Sequence, residues 1–350
     1  MNDAESTAPS SPDAQDMLGA VRGLPDQLAA AWARSRDITL PERCRAPRAV
    51  IVAGMGGSAI GGDLLAGALG AQLTAPLQIV RDYRLPAWVD EHSLVLASSF
   101  SGNTEETLTL WDEAGNRQAA RVALTTGGRL AERAAEAGEP IVTLPKGGAP
   151  RAALGHSLAG LLGALAAAGA AKGPSWDDEV GAAVTQMRTL VVADTGTEAV
   201  ATAMRDRLVL VYAPEHLAGV ARRWKAQLNE NAKTTALWDT LPELHHNSVV
   251  GLPRPAVLPD HATVVLLDGP GTHPRVRQRI ELTRALLDTQ HIPHLTVRAP
   301  EQTAGRSGLA EALWLVQLGD LVSVRLAALH GVDPTPIEVL DQLKASLAQN

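Results

Sequence analysis

Gly54-Met55-Gly56-Gly57-Ser58-Ala59 and Ser98-Ser99-Phe100-Ser101-Gly102-Asn103-Thr104-Glu105-Glu106-Thr107 each follow an apolar, strand-like run and each open a helix-like one. Glycine permits a tight backbone turn with consecutive N–H groups exposed. A helix N-terminus adds partial positive charge, and Ser and Thr hydroxyls donate to anionic oxygens. Both stretches therefore read as phosphate cradles. Two such loops in neighbouring βα units, both carrying hydroxyls, point to one shared small anion.

Outward from the first loop, residues 49–53 centre on β-branched Val50, Ile51 and Val52, and residues 58–73 space their apolar side chains as a helix does. The alternation continues with strands expected over 77–80, 94–97, 121–124 and 141–144, and helices over 104–115 and 130–137. Such alternation implies a doubly wound, mostly parallel sheet with ligands at the carboxyl ends of its strands, where both Gly/Ser loops fall. An Ala-rich helix over 155–171 is followed by Lys172-Gly173-Pro174-Ser175, which punctuates the chain. After a helix over 176–192, a second series offers strands over 208–212, 263–267 and 294–297, with helices over 217–233, 274–289 and 309–329. A last helix over 336–348 begins at Pro336, a residue suited to a first helical position. The expected class is α/β, with two doubly wound parallel-sheet domains and flanking helices. The expected division is a tail over 1–15, a first domain over 16–172 and a second over 173–350.

Bulk properties narrow the function. A chain of 350 residues exceeds the usual size of one core, so two domains are the natural expectation. The net charge of −7 argues against a nonspecific nucleic-acid or anionic-membrane binder, which needs a basic face. Cys44 is the only cysteine, so no intrachain disulfide and no thiolate metal cluster is expected, in keeping with the cytoplasm. Residues 1–15 are rich in Ser, Ala, Pro and Asp and lack the pattern of a signal peptide. The run over 158–171 is too short to cross a bilayer and reads as a buried helix.

Several motifs carry competing readings. Gly54-x-Gly56-x-x-Ala59 satisfies a dinucleotide fingerprint, with Asp82 as the ribose-binding acid, but that reading leaves Ser99, Ser101 and Thr104 without a role. Ser101 or Asn103 can cap the following helix, although capping does not explain three hydroxyls in one turn. Gly155-His156-Ser157-Leu158-Ala159-Gly160 resembles a hydrolase elbow with one residue too many, so Ser157 is assigned to a helix start and His156 to structure. Asn229-Glu230-Asn231-Ala232-Lys233 is either a solvated helix end or part of a site, and Pro242-Glu243-Leu244-His245-His246-Asn247-Ser248 places two histidines in a turn. Adjacent histidines diverge, and Pro293 breaks the helical face of His291 and His294, so no metal site is expected.

With Gly-Gly-Ser, Ser-x-Ser-Gly-Asn-Thr, Asn-Glu-Asn-Ala-Lys and His-Asn in this order, the chain resembles the bifunctional phosphoglucose/phosphomannose isomerases of the sugar isomerase (SIS) fold. The resemblance covers nearly everything after the tail. Its two loops indicate phosphosugar binding in general, whereas Pro150-Arg151-Ala152-Ala153-Leu154-Gly155, Leu228-Asn229-Glu230-Asn231, Glu243-Leu244-His245-His246-Asn247 and Leu343-Lys344 carry the enzyme-level signal. The resemblance implies that Ser58, Ser99, Ser101 and Thr104 bind the substrate phosphate, with Gly56 and Gly57 shaping the loop. It makes Arg151 the enediolate-stabilising cation, Glu230 the proton shuttle between C1 and C2, and His246 and Lys344 the ring-opening groups. His246 is implied to reach the site from a second subunit, hence a homodimer. The implied substrates are glucose, mannose and fructose 6-phosphates, in glycolysis or gluconeogenesis, with no cofactor. His245 stands where the family is expected to carry asparagine.

The residues suit that chemistry independently of the resemblance. Aldose–ketose interconversion needs a phosphate anchor, an acid/base pair to open the ring, a base for a carbon-bound proton and a cation for the enediolate. The Glu230 carboxylate suits the base, the His246 imidazole suits acid/base work at ring opening, and Arg151 holds oxyanion charge with a planar donor fork. Two other readings stand beside this one: a noncatalytic phosphosugar-binding regulator, and an SIS isomerase for another sugar phosphate.

Overall fold

A computed structural model describes residues 13–347 apart from 174, 195 and 253. The first sheet contains β1 (Ala49–Gly54), β2 (Leu77–Val80), β3 (Ser93–Ser98), β4 (Ala120–Thr125) and β5 (Ile141–Thr143). The second contains β6 (Leu208–Pro214), β7 (Ala236–Leu241), β8 (Ala262–Asp268) and β9 (His294–Arg298). Around them lie α1 (Met17–Arg22), α2 (Leu24–Ser35), α3 (Gly56–Ala68), α4 (Glu105–Asn116), α5 (Gly128–Glu136), α6 (Leu154–Ala167) and α7 (Trp176–Ala193). The chain continues through α8 (Thr197–Met204), α9 (Ala218–Glu230), α10 (Leu258–His261), α11 (Pro274–Thr289), α12 (Leu309–His330) and α13 (Glu338–Leu347).

Both sheets are parallel, in the orders β2-β1-β3-β4-β5 and β7-β6-β8-β9. Strands β1, β3 and β8 are buried along their whole length, as the apolar runs of a sheet covered on both faces must be. From β1 the chain winds to β2 on one side and then to β3 on the other, which opens a crevice at the carboxyl ends of β1 and β3. Gly54 and Ser98 are register partners across that point, so the two Gly/Ser loops leave the sheet side by side. The second sheet repeats this winding around β6 and β8.

The largest buried cluster is continuous across both halves, drawing on Val50 and Val52, Leu161 and Leu165, Val209 and Val211, and Leu313 and Leu321. Its central element is α12, which packs against α7, α8 and α9. By length and composition α12 matches a membrane span, but 78% of its apolar window is buried inside the protein. It is thus a core helix, and it carries Asp320 and Ser323 into the interior.

Several boundaries differ from the sequence reading. Strand β7 was not anticipated: Leu237, Trp238 and Asp239 keep partial exposure on this edge strand, which breaks the apolar signature. Helices α1, α2, α8 and α10 are also additional. Helix α3 runs over Gly56–Ala68 rather than 58–73, and α9 ends at Glu230 rather than 233, because Lys233 takes φ +55°. Of the tail expected over 1–15, residues 1–12 lie outside the described residues, while Asp13 accepts the N–H groups of Met17 and Leu18 at the start of α1. Ser157 lies in the first turn of α6 and donates to Leu154 O at 3.1 Å, but the N-cap position belongs to Ala153 and no side chain caps the helix.

Candidate active site

The two loops are joined by a hydrogen bond: Ser58 Oγ, in the first turn of α3, accepts the Phe100 N–H at 3.1 Å. Within the second loop, Ser99 is fully buried, its hydroxyl lies 2.9 Å from that of Thr104, and it accepts the Gly102 N–H at 3.1 Å. Ser101 is exposed and accepts the Asn103 N–H at 3.2 Å. The capping reading is corrected here. The N-cap residue of α4 is Thr104, and neither it nor Met55 at the head of α3 makes a side-chain cap. Two helix N-termini at one crevice without side-chain caps favour an anion between them.

Gly57 brings the first of these loops to Arg151. A Cβ at Gly57 would lie 3.1 Å from Pro150 O and 3.3 Å from Arg151 Cα, so a residue without a side chain lets α3 approach the 3₁₀ turn Pro150–Ala152. Gly56, at φ +48°, supplies the bend before it.

Gly56, Gly57, Arg151 and Glu230 line one cleft of about 370 Å³, together with Arg81, Arg222, Arg223 and Lys225. Five cations facing one carboxylate make this a basic pocket in a chain of net charge −7, which suits an anionic substrate. Arg81 is paired with Asp63, and the Arg222 guanidinium lies 4.9 Å from the centre of the Trp238 ring.

Arg151 is 5% exposed, and most of its donors are committed. Nε donates to Asn231 Oδ1 at 2.7 Å, and Nη2 donates to the carbonyls of Pro334 and Thr335 at 2.7 and 2.8 Å. Nη1 is turned toward Glu230, 3.8 Å from Oε2. Burial lowers the Arg151 pKa from its ordinary value; the Glu230 carboxylate opposes this and the Arg223 charge adds to it. Glu230 is the last residue of α9 and keeps 29% side-chain exposure, so it reaches both the packed arginine and open space. It also lines a second cavity of about 810 Å³, bounded by Lys225, Lys233 and the first turn of α13. Lys233 Nζ donates to Glu230 O at 2.6 Å and to Pro334 O at 3.2 Å, and burial lowers its pKa.

Beneath the cleft lies a buried ion pair. Arg223 donates to both carboxylate oxygens of Asp320, at 3.0 and 2.5 Å, and to Arg151 O at 3.0 Å. Complete burial pushes the Asp320 pKa up, while Arg223 pulls it down. The sequence reading missed Asp320, Arg223 and Asn231 as site components. The available local signals were an aspartate within the apolar run of α12 and, for Asn231, its place in the Asn229-Glu230-Asn231 motif.

Two expected residues lie apart from this group. His246 is exposed at the end of the 3₁₀ turn Glu243–His246 that follows β7, and it does not line the cleft. Lys344 is exposed on α13 and lines neither cavity. His245 is turned the other way: Arg279 Nη1 lies 3.2 Å from its Nδ1, and its Nε2 lies 2.8 Å from Thr283 Oγ1. Since a guanidinium only donates, Nδ1 accepts and Nε2–H donates to Thr283, which fixes a neutral imidazole. Burial lowers the His245 pKa, with the Arg279 charge acting the same way.

The family described as bacterial phospho-glucose isomerase C-terminal SIS domain matches residues 194–347. A bifunctional phosphoglucose/phosphomannose isomerase from Caldicellulosiruptor bescii is 34% identical over 342 residues, covering 95% of this chain and 99% of the relative. The chain belongs to the bifunctional phosphoglucose/phosphomannose isomerase family. Another member, from Aquifex aeolicus, is 34% identical over 304 residues, covering 87% of this chain and 91% of its own. Among solved structures, a hypothetical protein from Thermus thermophilus superposes with a TM-score of 0.73 at 19% identity, covering 99% of this chain and 92% of that one. That likeness shows the fold, and it bears out the expected pair of parallel-sheet SIS units with flanking helices.

Proposed function

We propose that the Arg151–Glu230 cleft is where this family member interconverts glucose 6-phosphate and mannose 6-phosphate with fructose 6-phosphate. The observation that carries the reading is the cleft itself, which places a carboxylate and a committed arginine beside the glycines of the phosphate loop. The substrate phosphate is held by Ser58, Ser99, Ser101 and Thr104 with the loop at Gly56 and Gly57. Buried Ser99 acts there by fixing the loop, since its hydroxyl is already bonded within it. Anchoring the phosphate fixes one end of the open-chain sugar and removes several kcal/mol from the barrier.

Glu230 takes the proton from one of C1 and C2 and returns it to the other, while Arg151 Nη1 holds the developing enediolate oxygen. Both aldoses collapse to one cis-enediol, which makes one site sufficient for both. His246 and Lys344 open the ring. Because His246 is exposed and outside the cleft of its own chain, it serves the site of a second copy, in a homodimer. The exposed Val339, Leu340, Leu343 and Leu347 on α13 provide apolar surface for such a partner to cover, which would bring Lys344 into the assembled site. We further divide the chain at residue 173, with one sheet on each side. The buried free thiol of Cys44 accords with a cytoplasmic enzyme.

Mixing inactive variants tests both the roles and the sharing. Glu230→Gln and His246→Ala, each refolded alone, are expected to be inactive. Refolded together in equal amounts, they form mixed dimers with one intact shared site and recover about a quarter of wild-type activity. No recovery in verified mixed dimers contradicts the sharing. High activity in Glu230→Gln alone contradicts the role of Glu230.

A further inference from the structure

We propose that Asn231 is a positioning residue for Arg151, its amide oriented by Ser323, so that Arg151 meets the reacting oxygens through Nη1 alone. The inference rests on the function proposed above and adds to it a device that assigns each nitrogen of the arginine its task.

The direction of every hydrogen bond in this relay is determined. Ser323 Oγ donates its single proton to Asp320 O at 2.7 Å. It can then only accept from Asn231, which it does from Nδ2 at 2.9 Å. With its amino group held there, Asn231 presents Oδ1 to Arg151, 2.7 Å from Nε. A reversed amide would set N–H against N–H at Arg151 and leave Ser323 facing a carbonyl oxygen with no proton to give. Asn231 and Ser323 are both fully buried, so no water supplies the missing partner.

The consequence falls on the guanidinium. Nε is held by Asn231, and Nη2 by the carbonyls of Pro334 and Thr335. Three of five N–H groups are thus spent on the protein, and the two on Nη1 remain on the side of Glu230. A planar group pinned along the Nε–Nη2 edge cannot rotate in its plane, so Nη1 is aimed without reorganisation when charge develops. The Asn231 side chain does not itself line the cleft, and it bears on the site through the arginine that does.

The test compares Asn231→Asp and Ser323→Ala with wild type in fructose 6-phosphate conversion. It is accompanied by thermal melts and by binding of sorbitol 6-phosphate, which carries the phosphate but cannot isomerise. A carboxylate at position 231 pairs directly with Arg151 and offsets its charge, and loss of the Ser323 hydroxyl frees the Asn231 amide to turn. A displacement of this order costs kcat about tenfold to a hundredfold, with the larger loss in Asn231→Asp. KM and sorbitol 6-phosphate binding should stay near wild type. A kcat within twofold of wild type in both variants overturns the proposal, as does a kcat loss accompanied by an equal loss of sorbitol 6-phosphate binding. If Asn231→Asp does not fold, Ser323→Ala, which leaves Asn231 and Arg151 in place, decides. Failure of the function itself looks different, because then wild type also leaves fructose 6-phosphate unconverted.

Discussion

Glu230→Gln is expected to lower fructose 6-phosphate conversion by about a hundredfold to ten-thousandfold, the range associated with losing a positioned general base. Glutamine keeps the length and shape of the side chain, so α9 should still end at position 230 and Lys233 should still reach the carbonyl there. What disappears is the carboxylate proposed to accept a proton from carbon. The proposed phosphate anchor lies in other elements, β1–α3 and β3–α4, so sorbitol 6-phosphate should bind nearly as before. Steady-state rates and calorimetric binding check the two halves. A folded variant with near-normal turnover would remove Glu230 from the mechanism and leave the cleft as a binding site.

The second large effect is on stability. Asp320→Ala should cost about 3–5 kcal/mol, because it leaves the Arg223 charge buried without its partner. Both side chains are at most 3% exposed, and two of the Arg223 hydrogen bonds are lost together. Denaturant titration measures the loss. Replacing both members, as Arg223→Met with Asp320→Leu, should recover most of the stability, since a buried ion pair is often no better than well-packed apolar groups. Activity should not return with it, because Arg223 also lines the cleft and supports the Arg151 carbonyl. Full recovery of both would reduce the pair to scaffolding.

The parts legible in the sequence were those encoded locally. The runs ending at Gly54 and Ser98 announce buried parallel strands, and their glycines and hydroxyls mark the turns where the chain must expose N–H groups. Arg151, Glu230 and the two loops were named from short motifs, and the fold brings Arg151 and Glu230 to the rim of the first loop. The machinery behind them is non-local. Asp320 and Ser323 meet Arg223 and Asn231 across more than 90 positions of chain, and only packing of α12 on α9 reveals the contact. Strand β7 escaped notice because an edge strand with Trp238 and Asp239 half-buried lacks the apolar run of its neighbours. His246 shows a limit of another kind: its motif is local, but one chain does not bring it to the cleft.

Following fructose 6-phosphate by NMR in deuterium oxide tests the central claim most directly. The cis-enediol account predicts that glucose 6-phosphate and mannose 6-phosphate both appear, with solvent deuterium at C2 in part of each, because Glu230 exchanges its proton between abstraction and return. Fructose 6-phosphate that binds but stays unconverted, or aldose phosphates that form wholly free of deuterium as a direct hydride shift requires, would contradict it.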